Sequence, residues 1–300
     1  MDSLSALIRM ARAEGRVDVR CLLAGRHTLD NPPSTAGKAP FHLLLDGHCT
    51  VEAGDRVIDL RAGDLLVLPR GERHRVRVSA DGPPAPATRS AGGVVETLRS
   101  DGVPAVDLFC GHYTYRPGAG ELLFAGLPAV VHASFGTGAA SPLRPLGELM
   151  RHEAALDGPG SGALLAALCE ALLTLALRGD GHDRPHPAPW TAVPDPGLRA
   201  VVEAVVSRPG QPWTTAGLAR VAGVSRATLA RHFAAATGLS IAAFVTRTRM
   251  TIAADLLATT ELGLDDVAAR AGYRSTSAFG KAFRAATGVT PARLRRSRTR

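Results

Sequence analysis

Fifty residues apart, this 300-residue chain writes the same pattern twice. Ser225, Leu229, Arg231, Phe233 and Thr237-Gly238 return as Ser275, Phe279, Lys281, Phe283 and Thr287-Gly288. Each Ser can cap a helix by accepting a backbone N–H, and each Gly can end it. At roughly 100° per residue, Leu229 and Phe233 share one stripe with a matching stripe at Phe279 and Phe283. Ala227 and Arg231 in one copy, and Ser277, Lys281 and Arg284 in the other, then point outward. A short apolar helix precedes each: Leu218, Val221 and Ala222 before a turn at Gly223, and Leu264, Val267 and Ala268 before a turn at Gly272. Between the copies, Ser240 to about Ala258 reads as a long helix that joins them rigidly. Pro291 suits the first turn of a final helix.

Two helices around a tight turn, the second basic and outward-facing, make a helix-turn-helix. Its second helix enters the major groove, where Arg or Lys pairs with guanine. The charge agrees. From Asp195 to Arg300 there are 16 Lys+Arg against 6 Asp+Glu, whereas the preceding residues hold 19 against 21. A positive excess confined to the last third is the electrostatic footprint of a nucleic-acid binder. Two units on one rigid helix would reach successive major grooves, roughly 34 Å apart. The expected partner is double-stranded promoter DNA.

The stretches "LARVAGVSRATLARHFAAATGLSIAAFVTRTRMTIAADLL" and "DDVAARAGYRSTSAFGKAFRAATGVTPARLR" resemble the DNA-binding domain of AraC/XylS-type bacterial transcription regulators. The resemblance implies base-reading roles for Ala227, Arg231, Ser277 and Lys281. It puts Ser225, Arg226, Thr228, Ser275 and Thr276 near base edges or phosphates. The first reading helix carries Ala at 227, 230 and 234, so its direct readout rests largely on Arg231. Where family members often end in P-x-x-Y-R, this chain has Pro291-Ala292-Arg293-Leu294-Arg295, with Leu294 in the apolar role.

From Arg16 to about Tyr115, short apolar runs alternate with Gly, Pro and Asp, the pattern of a small barrel of strands and turns. Gly63, Pro69, Gly71 and His74 sit at the spacing of the second cupin signature. The first signature is degraded, with His42 and Gly47 surviving in its neighbourhood. The whole layout, including "MDSLSALIRM", "GDLLVLPRGERH", "LFCGHY" and "LPAVVH", resembles a subgroup of AraC-type regulators with an N-terminal cupin domain, some members of which respond to reactive oxidants. The fold class expected is α+β: a cupin-like barrel, further helices, then an all-α domain with two helix-turn-helix units.

Four scattered cysteines form neither a disulfide framework nor a CxxC zinc pair. Cys21 falls in an early strand and Cys110 in a late one. Both are redox-sensor candidates, with Arg20 and His112 as the neighbours that would lower a thiol pKa. The competing readings are plain packing, the commonest fate of a free Cys, and a divalent-metal site built from His42, His74 and Cys21. Cys169 lies in an apolar helix and reads as packing; Cys49 is not readable from its surroundings.

The expected boundaries are 1–140 for the sensor barrel, 141–194 for a helical dimerisation segment and linker, and 195–300 for the DNA-binding domain. Residues 81–93 read as a surface loop, and 180–197, with His182 and His186, as a semi-rigid linker. Helices are expected at about 142–156 and 161–178. The second is apolar nearly all round and must be buried against the barrel or in a homodimer interface. The start, Met1-Asp2-Ser3-Leu4, lacks a basic segment followed by an apolar stretch, so a cytoplasmic protein with no membrane partner is expected. These observations point to a non-enzymatic transcription regulator, in contact with RNA polymerase if it activates, whose barrel senses a small molecule or oxidant. The rival readings are a cupin-barrel metalloenzyme with an accessory DNA-binding tail, and a constitutive architectural binder whose barrel only dimerises.

Overall fold

In the computed structural model, residues 3–79, 86–90, 93–115, 119–156, 158–178 and 195–297 are described. Most of the expected loop at 81–93, and the linker with His182 and His186, lie outside them. The chain forms two compact units.

One unit is built on a curled ten-stranded sheet. Its strands are β1 (Glu14–Leu23), β2 (His27–Asn31), β3 (Lys38–Ala53), β4 (Arg56–Arg61), β5 (Asp64–Val67), β6 (His74–Val78), β7 (Ala87–Ser90), β8 (Glu96–Ser100), β9 (Val106–Thr114) and β10 (Val131–Ser134). The main path runs β10-β5-β3-β9-β1-β8-β7, with β4 and β6 also on β3 and β2 on β6. The long β3 makes the sheet curl. Its first half pairs with β5 and β9, and its second half leaves that layer to pair with β4 and β6. Gly63, from the cupin signature, turns the chain between β4 and β5 with φ +94°, and a Cβ there would lie 2.6 Å from the Gly136 carbonyl oxygen. That position admits only glycine at this backbone spacing. The expected cupin-like barrel is therefore present as a curled half-barrel. Its interior gathers Cys21, Leu23, Leu44, Cys49, Val51, Leu60, Leu66, Val76, Leu108 and Cys110.

Two helices complete this unit, α3 (Leu143–Leu156) and α4 (Ser161–Arg178), close to the expected spans. By length and composition α4 is apolar enough to cross a membrane. Its face carrying Leu165, Leu168, Cys169, Leu172 and Leu173 is instead buried, and it packs against β1. Tyr113 Oη donates to the Cys169 carbonyl at 2.9 Å, and burial pushes the Cys169 thiol up to about 12, as suits a packing residue.

The other unit is helical: α1 (Ser3–Ala11), α2 (Ala119–Gly126), α5 (Pro196–Ser207), α6 (Thr215–Val221), α7 (Arg226–Thr237), α8 (Ile241–Thr259), α9 (Leu264–Arg270), α10 (Thr276–Thr287) and α11 (Pro291–Ser297). α5 has no counterpart among the expected elements, although Asp195 caps it by accepting from Leu198 N at 2.9 Å and Pro196 opens it. α1 and α2, within the 1–140 expected for the barrel, pack among the helices of this unit.

Candidate nucleic-acid interface and a buried thiol–imidazole cluster

The two repeats fold alike because the same residues do the same local work. Ser225 Oγ accepts from Thr228 N at 3.1 Å, and Ser275 Oγ accepts from Ala278 N at 3.2 Å. Gly238 and Gly288 end the helices in the left-handed conformation, at φ 70° and 74°. Leu229, Phe233, Phe279 and Phe283 are fully buried. Ala227, Arg231, Ser277, Lys281 and Arg284 stand exposed on the opposite faces of α7 and α10, together with Arg226 and the cap serines; Thr228 and Thr276 are half-buried in the first turns. The repeat thus presents two short helices whose outward faces carry hydroxyls and cations and no carboxylate. Arg249 on α8 has a different role. It donates to the carbonyls of Pro209 at 2.9 Å and Gln211 at 2.7 Å, tying the loop after α5 to α8.

Inside the half-barrel, four of the residues singled out by sequence meet. His74 Nδ1 lies 2.9 Å from the Glu72 carbonyl, His74 Nε2 lies 2.8 Å from His42 Nε2, and His42 Nδ1 lies 3.1 Å from Cys110 Sγ. Cys21 is the diagonal neighbour of Cys110 across the pairing of β1 with β9, Cys21 standing opposite Leu108 and Cys110 opposite Val19, and both lie in the same buried cluster. A carbonyl can only accept, so His74 Nδ1 donates to it and Nε2 of the neutral ring must accept. His42 Nε2 therefore donates to His74, which leaves His42 Nδ1 to accept from the Cys110 thiol. One backbone carbonyl fixes every proton from Glu72 to Cys110.

All four side chains are buried. Burial, reinforced by His74, pulls His42 down to about 3, and burial lowers His74 as well. The neighbouring Cys21 thiol and burial hold the Cys110 thiol well above the usual range. Burial pushes Cys49, in the same core, up to about 12. Desolvation thus keeps the cluster neutral. Beside it, Gly111 lets β1 and β3 close over β9: a Cβ there would lie 2.1 Å from the Arg16 carbonyl oxygen and 2.7 Å from the Phe41 ring.

Two expectations are corrected here. Arg20 was to activate a thiol, but successive strand residues face opposite sides. Arg20 points away from Cys21 and donates to Asp107 at 2.9 and 2.8 Å, where Arg151 joins at 2.6 Å. Burial would raise the Asp107 carboxyl, but the hydrogen bonds from Arg20 and Arg151 hold it below the usual value. His112 is engaged by Asp18 at 2.6 Å. The metal triad His42–His74–Cys21 is also not formed. Among the described residues no group of three or more His, Cys, Asp or Glu is arranged to hold a metal ion. What sequence missed is the His42–Cys110 contact. The two sit directly opposite in the antiparallel pairing of β3 with β9, a register with no local signal.

Comparison with known proteins gives two family matches: a model described as "Cupin" over residues 2–179 and one described as "Helix-turn-helix domain" over residues 218–297. The chain is 29% identical over 300 residues to an uncharacterized HTH-type transcriptional regulator of Haemophilus influenzae, covering 99% of both chains. It is 29% identical to the RCS-specific HTH-type transcriptional activator RclR of Escherichia coli, covering 98% of this chain and 97% of that one. It is also 29% identical to the HTH-type transcriptional regulator MtrA of Neisseria gonorrhoeae, covering 99% and 98%.

Proposed function

Since the chain belongs to the cupin family and joins that domain to an AraC-type helix-turn-helix domain, as a DNA-binding transcription regulator, we propose that oxidation of its buried thiol–imidazole cluster controls how it binds promoter DNA. The observation that carries this reading is the diagonal pair Cys21 and Cys110, buried in one cluster and held with His42 and His74 in the barrel interior. Two neighbouring thiols can lose two electrons and two protons to form one disulfide. With hypochlorous acid as oxidant, the products are chloride, a proton and water. The relative named an RCS-specific activator supports an oxidant as the signal. In the resting state the raised Cys110 pKa keeps that thiol protonated, so the cluster is quiet until an oxidant penetrates the core.

On DNA, α7 and α10 would lie in successive major grooves, with Arg231 and Lys281 pairing to guanine and Ser225, Arg226, Thr228, Ser275, Thr276 and Arg284 on nearby edges or phosphates. Ala227 and Ser277 would touch base edges from the same faces. Such a protein works in the cytoplasm, where the chromosome is, and an activator would contact RNA polymerase from the promoter. We propose no catalytic role for the barrel.

The test is the affinity of the reduced protein for its own promoter region, repeated after one equivalent of hypochlorite and with Cys21→Ala. A change on oxidation that Cys21→Ala abolishes is the expected result. Unaltered binding after oxidation would overturn the proposal and turn the search for an effector to the cleft lined by Arg16, Val17, Val94, Leu165 and Ala166. Its volume of about 430 Å³ lies within the range of small-molecule sites.

A further inference from the structure

The two strands that carry the sensor thiols are also the two that neighbour α1 and α2 in the chain, β1 following α1 and β9 preceding α2. β1 and β9 pair along their whole length, from Glu14 opposite Thr114 to Leu23 opposite Val106, with an irregularity between Val17 and Val19. Cys21 lies on one strand and Cys110 on the other. The chain enters β1 from α1 and leaves β9 toward α2, and both helices are built into the DNA-binding unit.

Their packing there is specific. Ala119 and Leu122 of α2 share one buried cluster with Met250, Ala253, Ala254 and Leu257 of α8 and Phe279 and Phe283 of the reading helix α10, and Met10 of α1 packs against it. Arg247 of α8 donates Nη1 to the Ala125 carbonyl at 3.2 Å, satisfying an acceptor in the last turn of α2. Phe124 stacks on Tyr115 with ring centroids 4.3 Å apart. α1 and α2 touch so closely that a Cβ on Gly120 would lie 2.7 Å from the Ala11 carbonyl oxygen.

The joint between α1 and β1 is also unusual. Arg12 has φ 46° and is the one non-glycine residue with positive φ among those described. A left-handed residue of this kind marks a strained position that persists only when its surroundings enforce it. Burial raises the Asp255 carboxyl of α8, and the Arg12 charge partly offsets that rise.

We propose that α1 and α2 form a transmission arm, part of the DNA-binding unit by packing and of the thiol-bearing strands by covalent continuity. The proposal rests on the oxidant-sensing reading for its trigger. A change in the spacing of β1 against β9 is taken up at the Val17/Val19 irregularity and pulls on both helices at once. The grip of Leu122 and Arg247 passes it to α8, which sets the two reading helices relative to each other.

The experiment uses the full chain and three proteins: wild type, Leu122→Ala and Arg247→Gln. Each is read by promoter affinity, reduced and oxidised, and by hydrogen exchange of α8 and α10. In the wild type, oxidation is expected to shift affinity by roughly 5- to 150-fold, the usual span of coupling between sites. In both variants that ratio moves toward one while DNA is still bound, and α8 exchanges faster than in the wild type. Arg247→Gln keeps the test open if Leu122→Ala fails to fold. Variants that respond to oxidation as fully as the wild type, or that leave α8 exchange unchanged, overturn the arm. If wild-type affinity ignores oxidation, the sensing reading fails by itself. The arm then stands if the variants still change α8 exchange and reduced-state affinity, and falls if they change neither.

Discussion

Arg231 and Lys281 occupy the same place in the two repeats, exposed on a helix face backed by a buried Phe. If each reads a guanine, removing either side chain costs specific binding about 1–3 kcal/mol and relaxes the sequence preference at one position. Titrating Arg231→Ala and Lys281→Ala against promoter and random DNA separates this from phosphate contact, which would weaken both alike. His42 makes a prediction of a different kind. Its folded-state value of about 3 lies below the unfolded 6.5, so the unfolded chain binds more protons between them. The stability conferred by the neutral ring is fully present above about pH 6.5 and lost as the pH falls through the folded value, at about 1.4 kcal/mol per unit. Urea midpoints between pH 7 and 4.5 should fall steeply in the wild type and less so in His42→Gln. At this scale the sequence was a good guide to identity and a poor one to partnership. Cys21, Cys110, His42 and His74, all singled out in the sequence, meet in one buried cluster, whereas Arg20, next to Cys21 in the chain, faces the other side of β1 because successive strand residues alternate.

The helices that were legible are those whose ends are written in the chain. Ser225, Ser275, Gly238 and Gly288 mark α7 and α10 without ambiguity. Replacing either Ser by Ala is expected to lower stability by about 1 kcal/mol, measured by thermal unfolding, because the N–H of Thr228 or Ala278 loses its acceptor. α5 carried an equally plain signal in Asp195-Pro196 and was masked by the Pro-rich composition before it. α1 and α2 are a different matter. Each is short, and an apolar run such as Leu122, Leu123 and Phe124 says that a helix is buried but not against what. Their place beside α8 is a tertiary fact. For α4, near-uniform apolarity correctly required burial, and β1 supplies the covering surface.

For the molecule as a whole, the clearest sequence signal was charge and repetition taken together. The 16 basic residues from Asp195 onward imply a salt-dependent contact with DNA. If six to ten phosphates are neutralised, affinity should drop by roughly 10³ to 10⁵ between 50 and 200 mM salt. A flat salt response in an anisotropy titration would show that the basic face is not the DNA face. The cupin-like half-barrel was legible from its glycine and proline spacing, whereas the assignment of its flanking helices to the other unit was not. The fixed length of α8, Ile241–Thr259, also has a consequence for the genome. A single base pair inserted between the two recognition segments would swing one of them by roughly 35° around the duplex, and a helix packed along its length cannot follow. Promoters under this regulator are therefore expected to drift by base substitution while keeping the count of bases between the two segments unchanged.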